Sequence, residues 1–84
     1  MAYKLVLLAG DGTGPEVMRE GVKVLKAVQD AYGVSFSLIP YPCGGQYYLD
    51  SGEEWPAAAW ESCKTADAIL LGAVGHPDAR LPNG

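Results

Sequence analysis

The chain contains two short apolar runs, and each of them is followed directly by a glycine. The first run covers residues 4–9 and precedes Gly10, and the second covers residues 66–71 and precedes Gly72. Neither run alternates with polar residues and both are too short for a helix, so each indicates a strand that is buried on both faces. Such strands are typical of parallel sheets, in which crossover helices cover both sides.

A long amphipathic segment follows the first predicted strand. Its pattern predicts a helix over residues 14–32, with Gly33 just beyond the end of the helix. Thr13 and Glu16 have the spacing of a capping box, and Pro15 is tolerated in a first helical turn. Several apolar side chains are predicted to form the stripe that faces the sheet or to flank it: Met18, Val22, Leu25 and Tyr32 in the stripe, with Val17, Val24, Val28 and Ala31 beside it.

The remaining segments continue the alternation of strands and helices. Residues 34–38 alternate between apolar and polar, which predicts a strand with one buried face, and Pro40 indicates that this strand is an edge or ends there. The turn-rich residues 43–54 have room for a short helix, and Pro56 begins an alanine-rich helix over residues 55–64. The order β-α-β-loop-α-β-loop predicts the α/β class, with a parallel or mixed sheet and right-handed crossovers.

The length, charge and cysteine content of the chain limit its stability and its possible partners. With 84 residues the chain is at most one small domain of marginal stability. Ten acidic and six basic residues give a net charge of −4, and the cations are spread along the chain, which argues against a nucleic acid partner. No apolar run approaches the roughly 18 residues of a membrane span, so no membrane partner is expected. Cys43 and Cys63 have no metal-binding spacing and indicate free thiols in a reducing cytoplasm.

Two glycine-rich loops are the candidate sites. Residues 10–16 lie between a predicted strand and a helix, where backbone N–H groups attract anions. The alternative is that these glycines only form a tight turn, which Asp11 serves, because Pro15 replaces the third glycine of a GxGxxG motif. Residues 72–78 follow the second predicted strand, at the strand end where α/β sheets bind ligands. His76, the one histidine of the chain, either contacts a ligand there or is an ordinary exposed loop residue.

The two loops together resemble the motifs of one enzyme family. Residues 8–17, LAGDGTGPEV, are similar to the opening PGDGIGPEV of the isocitrate/isopropylmalate dehydrogenase family. Residues 67–78, DAILLGAVGHPD, are similar to its DAILLGAVGGP segment. The resemblance covers nearly the whole chain. The family has isoleucine in place of Thr13 and often glycine in place of His76, and the GHPD form is closer to the tartrate/D-malate branch.

The resemblance implies a metal- and NAD(P)-dependent dehydrogenase that oxidises a 2-hydroxy acid and then releases CO₂ from its β-carboxylate. It implies that Thr13 lies near the adenine end of the cofactor. The nicotinamide side would be lined by Gly75, His76, Pro77 and Asp78. The family's catalytic residues and its Mg²⁺ or Mn²⁺ ligands fall after the matched stretch, so none is predicted here. A small-molecule substrate of the 3-isopropylmalate type and a homodimer are also implied.

Three hypotheses about the chain remain open. The leading one is that residues 1–84 are a partial N-terminal segment of a larger dehydrogenase domain, inactive alone, because residues 81–84 end inside a loop. The alternatives are a stand-alone nucleotide-binding module and an interaction protein with Trp55 and Trp60 as its contact patch. Under the leading hypothesis the three strands pair with strands from the rest of the protein. We therefore expect the isolated chain to be molten or prone to aggregation.

Overall fold

A computed structural model describes residues 2–80 and shows an α/β architecture. Along the chain, the elements are β1 (Ala2–Gly10), α1 (Gly14–Tyr32), β2 (Ser35–Tyr41), α2 (Gly45–Ser51), α3 (Ala57–Lys64) and β3 (Ala68–Ala73). The three strands form one sheet in the order β2–β1–β3, and both pairings are parallel. The predicted fold class is confirmed. The predicted loop at residues 81–84 lies outside the described residues.

The central strand β1 is buried on both faces, as its apolar run predicts. On one face Leu5 and Leu7 pack with Met18 of α1, and Val22, Leu25, Phe36 and Leu38 surround this cluster. On the other face Val6 and Leu8 pack with Cys43, and Trp55 and Cys63 lie against them. The core therefore consists of two thin layers, one on each face of β1.

Helix α1 has the predicted bounds, but it lacks the predicted capping box and only part of its predicted apolar stripe is buried. Gly33 ends the helix as expected and donates its N–H to the Gln29 carbonyl at 2.9 Å. The capping box is wrong, because Thr13 already has a helical backbone and its side chain makes no cap hydrogen bond. Tyr32 is exposed, as are Val17 and Val24 beside the stripe, because a three-stranded sheet is too narrow to cover more than the centre of that helix face.

Strand β2 is an edge strand, which confirms one of the two predicted outcomes. It continues through Pro40 to Tyr41. A proline is tolerated there because an edge strand has a side on which no N–H is required. Phe36 and Leu38 turn towards the α1 face of the core, in agreement with the predicted alternation.

Strand β3 contradicts the prediction of a second strand buried on both faces. It begins at Ala68 and runs through Gly72 to Ala73, two residues further than its apolar run. It is the other edge of the sheet, and Ile69 and Leu71 are 51% and 59% exposed. The prediction failed because α1 packs against one face of β3, while α3 packs on the sheet near β1 and leaves the other face of β3 largely open.

Strand β3 is preceded by helix α3 and followed by the tail of the chain. Helix α3 begins at Ala57, two residues after the predicted start, and the half-exposed Trp60 packs against Trp55 with ring centroids 5.7 Å apart. Residues 74–80 form neither helix nor strand, as predicted for the tail. Within residues 2–80, no helix combines the length and the apolar character needed to cross a membrane.

Candidate functional site

The carboxyl ends of all three strands meet at one edge of the sheet, because every strand pairing is parallel. Gly10 at the end of β1 is the register partner of Ala73 at the end of β3. The loop of residues 11–13 and the segment of residues 74–80 therefore leave the sheet side by side. The backbone N–H of Asp11 donates to the Ala73 carbonyl at 2.6 Å, which joins the two segments at their first residues.

The carboxylate of Asp11 holds this edge together. Its Oδ2 accepts the N–H of Gly45 at 2.7 Å and of Gly75 at 2.8 Å, and its Oδ1 accepts the N–H of Gln46 at 3.0 Å. Asp11 is buried, with 6% of its surface exposed. One of the two interpretations of this loop from the sequence was that Asp11 only serves a tight turn. The structure shows that it caps the start of α2 and fixes the segment after β3.

These hydrogen bonds set the charge state of the site. The N–H of Gln46 contributes most to holding the pKa of Asp11 below its usual value, followed by those of Gly75 and Gly45, and they outweigh the opposing effect of burial. Asp11 is therefore ionised at neutral pH. Burial raises the pKa of the Cys43 thiol, and the nearby Asp11 carboxylate raises it further. Cys43 is thus a packing residue in thiol form, and both cysteines are free, as predicted.

Glycines make this close contact possible. Gly44 has φ 104°, and a Cβ built on it would lie 2.5 Å from Oδ2 of Asp11. A Cβ on Gly10 would overlap the Ala73 carbonyl. The glycine at position 10 is therefore required for close backbone packing, which supports the structural interpretation of that part of the loop. Gly12 and Thr13, in contrast, are exposed at the loop tip, and a Cβ on Gly12 would meet nothing within 4 Å.

The structure brings the predicted site residues to the same edge. Thr13 lies two residues after Asp11 on one loop, and Gly75 is bonded to Asp11 from the other. His76 is half-buried rather than an exposed loop residue, and its Nδ1 accepts the N–H of Asp78 at 3.1 Å. Pro77 and Asp78 are exposed.

Two partners at this edge were missed by sequence reasoning, namely the N–H groups of Gly45 and Gln46. The signal that points to them is the glycine pair at positions 44 and 45, which follows the end of β2 just as the other loops follow β1 and β3. Asp78 and Arg80 are close enough in sequence to pair, but the ion pairs found within residues 2–80 are Lys23–Glu20 and Lys64–Glu61.

A mostly apolar cleft lies beside this edge. It has a volume of about 540 Å³ and opens between β3, the start of α2 and the loop residues Glu54 and Trp55. The residues that give it its apolar character are Leu8, Tyr48, Trp55, Ile69, Leu71 and Val74. Its polar lining comes from Glu54 and Arg80. The cleft exposes the β3 face on which Ile69 and Leu71 lie.

The described residues do not provide a metal centre. Among residues 2–80, no group of three or more His, Cys, Asp or Glu side chains is arranged to hold a metal ion. The Asp11 carboxylate is the buried acidic group at the strand ends, and backbone N–H groups already occupy both of its oxygens. A divalent metal therefore finds no set of ligands in this part of the protein.

The fold and the converging loops define an α/β protein of the class that binds ligands at the carboxyl edge of a parallel sheet. Residues 4–83 match the family model for isocitrate/isopropylmalate dehydrogenase, and the chain belongs to that family. It is 46% identical over 77 residues to the 3-isopropylmalate dehydrogenase of Listeria innocua and 46% identical over 81 residues to that of Thermobifida fusca. These matches cover 92% and 96% of this chain, which spans only 22% of the length of each relative.

Solved structures agree with this assignment. The β-decarboxylating dehydrogenase of Thermococcus kodakarensis superposes with a TM-score of 0.73 at 35% identity, over 95% of this chain and 23% of that one. The isocitrate dehydrogenase of Methylococcus capsulatus has a TM-score of 0.77 at 24% identity, over 98% of this chain and 23% of that one, and is similar in fold. The arrangement of strands and helices seen here is therefore also found in part of each of these two dehydrogenases.

Proposed function

We propose that this chain is part of an NAD(P)- and divalent-metal-dependent dehydrogenase that oxidises and decarboxylates a 2-hydroxy acid of the 3-isopropylmalate type. Residues 1–84 would be the N-terminal segment of that enzyme and would contribute part of its cofactor site, without activity of their own. The observation that carries the proposal is the hydrogen bond from Gly75 to Asp11, because it joins the two loops that contain the family motifs. The relatives named as 3-isopropylmalate dehydrogenases support the substrate class.

In this proposal the residues of the chain bind and orient the cofactor. NAD or NADP supplies the hydride acceptor. Thr13, exposed at the tip of the first loop, contacts the adenine end. Gly75, His76, Pro77 and Asp78 line the nicotinamide side. Because Nδ1 of His76 accepts the Asp78 N–H, the Nε2 atom is left as the ring nitrogen for a cofactor contact. The metal would be held by residues elsewhere in the enzyme.

The assembly and the compartment belong to the same proposal. We expect the full-length enzyme to be a homodimer in the cytoplasm and to take a small-molecule substrate. The free thiols of Cys43 and Cys63 are in keeping with a reducing compartment.

The test is an assay of the full-length protein with 3-isopropylmalate, D-malate or tartrate, with NAD or NADP, and with Mg²⁺. We expect reduced nicotinamide to form with at least one of these substrates. Thr13→Ile, which restores the family residue, should lower the KM for the cofactor a few-fold because it enlarges an apolar contact. Thr65→Ile, at the opposite end of the sheet, is the matched control and should leave this KM unchanged.

Two outcomes would contradict the proposal. One is the absence of reduced nicotinamide with every substrate tested. The other is saturable micromolar binding of NAD to the isolated 84-residue chain, which would favour the stand-alone nucleotide-binding module instead.

A further inference from the structure

Among residues 2–80, Asp11 is the one whose side chain connects all three loops at the carboxyl edge. Its partners Gly45, Gln46 and Gly75 lie 34, 35 and 64 positions further along the chain. All three partners are backbone N–H groups, so the carboxylate fixes the course of the main chain rather than the rotamer of another side chain. Hydrogen bonds to an ionised acceptor are shorter and stronger than those between neutral groups.

The geometry leaves little freedom for the segment after β3. The N–H groups of Gly45 and Gly75 share Oδ2, so the loops that follow β2 and β3 meet at a single oxygen atom. The backbone of Gly45 also lies against His76, the residue after Gly75. A Cβ built on Gly45 would be only 2.5 Å from the Cβ of His76. The position of residues 75–78 relative to the first loop is therefore set from two sides.

We propose that Asp11 is a positioning residue for the cofactor site, whose carboxylate sets the distance between the Thr13 loop and residues 75–78. This inference rests on the proposed function, since it assigns a purpose to the spacing of two loops that would hold opposite ends of NAD or NADP. Asp11 does not touch the cofactor in this scheme. It is buried beneath the loops, and backbone donors occupy both of its oxygens.

Replacing Asp11 with asparagine changes the charge and the hydrogen-bonding groups of the side chain but keeps its size. Asp11→Asn keeps the shape of the side chain but has one acceptor oxygen instead of two. If that oxygen takes the place of Oδ2, the amide NH₂ group faces the N–H of Gln46. If it takes the place of Oδ1, the NH₂ group faces both Gly45 and Gly75. At least one donor is left without an acceptor, and the loops move apart.

The experiment compares full-length wild type, Asp11→Asn and Asp67→Asn. Asp67 is the matched control because its carboxylate also accepts a backbone N–H, that of Lys4 at 2.7 Å, but at the opposite end of the sheet. We expect Asp11→Asn to raise the KM for NAD or NADP roughly tenfold or more, since small displacements of binding groups are costly. The kcat should change less, and Asp67→Asn should leave both constants within twofold of wild type.

A second readout is independent of catalysis. The amide proton of Gly75 should resonate downfield in the wild type, move upfield in Asp11→Asn and stay in place in Asp67→Asn. If wild type shows no cofactor binding, the proposed function fails, while the Gly75 signal still reports whether Asp11 holds the loop. If Asp11→Asn does not fold, Gly44→Ala displaces the carboxylate without removing its charge and should raise the same KM. A cofactor KM within twofold of wild type in the folded variants would overturn the inference.

Discussion

Strands β1 and β3 are built from similar apolar runs and pair side by side, yet they are held in the sheet in different ways. Leu8 and Leu71 are register partners, but Leu8 is 4% exposed and Leu71 is 59% exposed. Val6 and Ile69 are also partners, and their exposed fractions are 0% and 51%. An apolar run therefore selects a strand, whereas the elements packed on both faces decide whether that strand is buried.

Hydrogen bonds at its two ends hold β3 where burial does not. At the carboxyl end Asp11 bonds Ala73 through its backbone and Gly75 through its carboxylate. At the amino end the backbone N–H of Lys4 donates to the Asp67 carboxylate at 2.7 Å, and the N–H of Asp67 donates to the Lys4 carbonyl at 2.8 Å. Strand β1 is thus stabilised by packing, and β3 by its ladder and by polar contacts at both ends.

The largest expected effect comes from placing the same charge on the two partner leucines of the 84-residue chain. Leu8→Lys should abolish the far-UV circular dichroism of helix and strand, because burying an unpaired ammonium group costs several kcal/mol, more than so small a core supplies. Leu71→Lys should keep that signal and raise the soluble fraction after centrifugation, because it places a charge on an exposed edge strand.

Equal loss of the circular dichroism signal in both variants would show that the two strands are buried alike. A sharp two-state melt of the 84-residue chain as a monomer would also contradict the comparison between β1 and β3. It would mean that the open face beside β3 does not weaken the structure, against the expectation of a molten or aggregation-prone chain.

Local patterns in the sequence were enough to predict most elements of this fold. The period of the apolar residues correctly bounded α1, and the uninterrupted run of β1 correctly indicated burial on two faces. The burial of β3 was not predictable in this way, because it depends on which elements cover the strand and not on the strand itself. The Thr13 capping box failed for a related reason, since the loop backbone enters α1 already in a helical conformation.

The candidate site was only partly predictable. Motif resemblance pointed to Thr13 and residues 75–78 as candidates, and the parallel strand order places them at one edge. The role of Asp11 was not visible, because its partners are backbone N–H groups as many as 64 positions away, and such groups carry no side-chain signature. Even so, Gly10, Gly44 and Gly45 marked positions at this edge where a Cβ would prevent a close contact.

Acid should release the carboxyl end of β3 before it disturbs β1. The pKa of Asp11 is lowered in the folded chain, chiefly by the N–H of Gln46, so its stabilising contribution is complete above the unfolded value of about 3.9. That contribution is lost as the pH falls through the folded-state pKa. In a pH titration of the ¹⁵N-labelled protein, the amide signal of Gly75 should move in this range while that of Leu7 stays fixed.

Asp11→Asn is the control for this titration, since its Gly75 signal should no longer follow the pH. Movement of the Gly75 and Leu7 signals with one common midpoint would indicate global unfolding. In that case the Asp11 carboxylate would not hold the carboxyl end of β3. Only the polar contacts at the amino end would then distinguish β3 from β1.

The smallest expected effect is at the amino end of β3. Asp67→Ala removes the acceptor for the Lys4 N–H, which lies in an exposed position, so water can replace the lost carboxylate. The free energy of unfolding of the full-length protein, measured by chemical denaturation, should fall by less than about 1 kcal/mol. Thr65→Val, which removes the partner of the Lys4 ammonium group, should cost still less. A loss above about 2 kcal/mol for Asp67→Ala would mean that further chain buries this end of β3, because only a desolvated carboxylate hydrogen bond is worth that much.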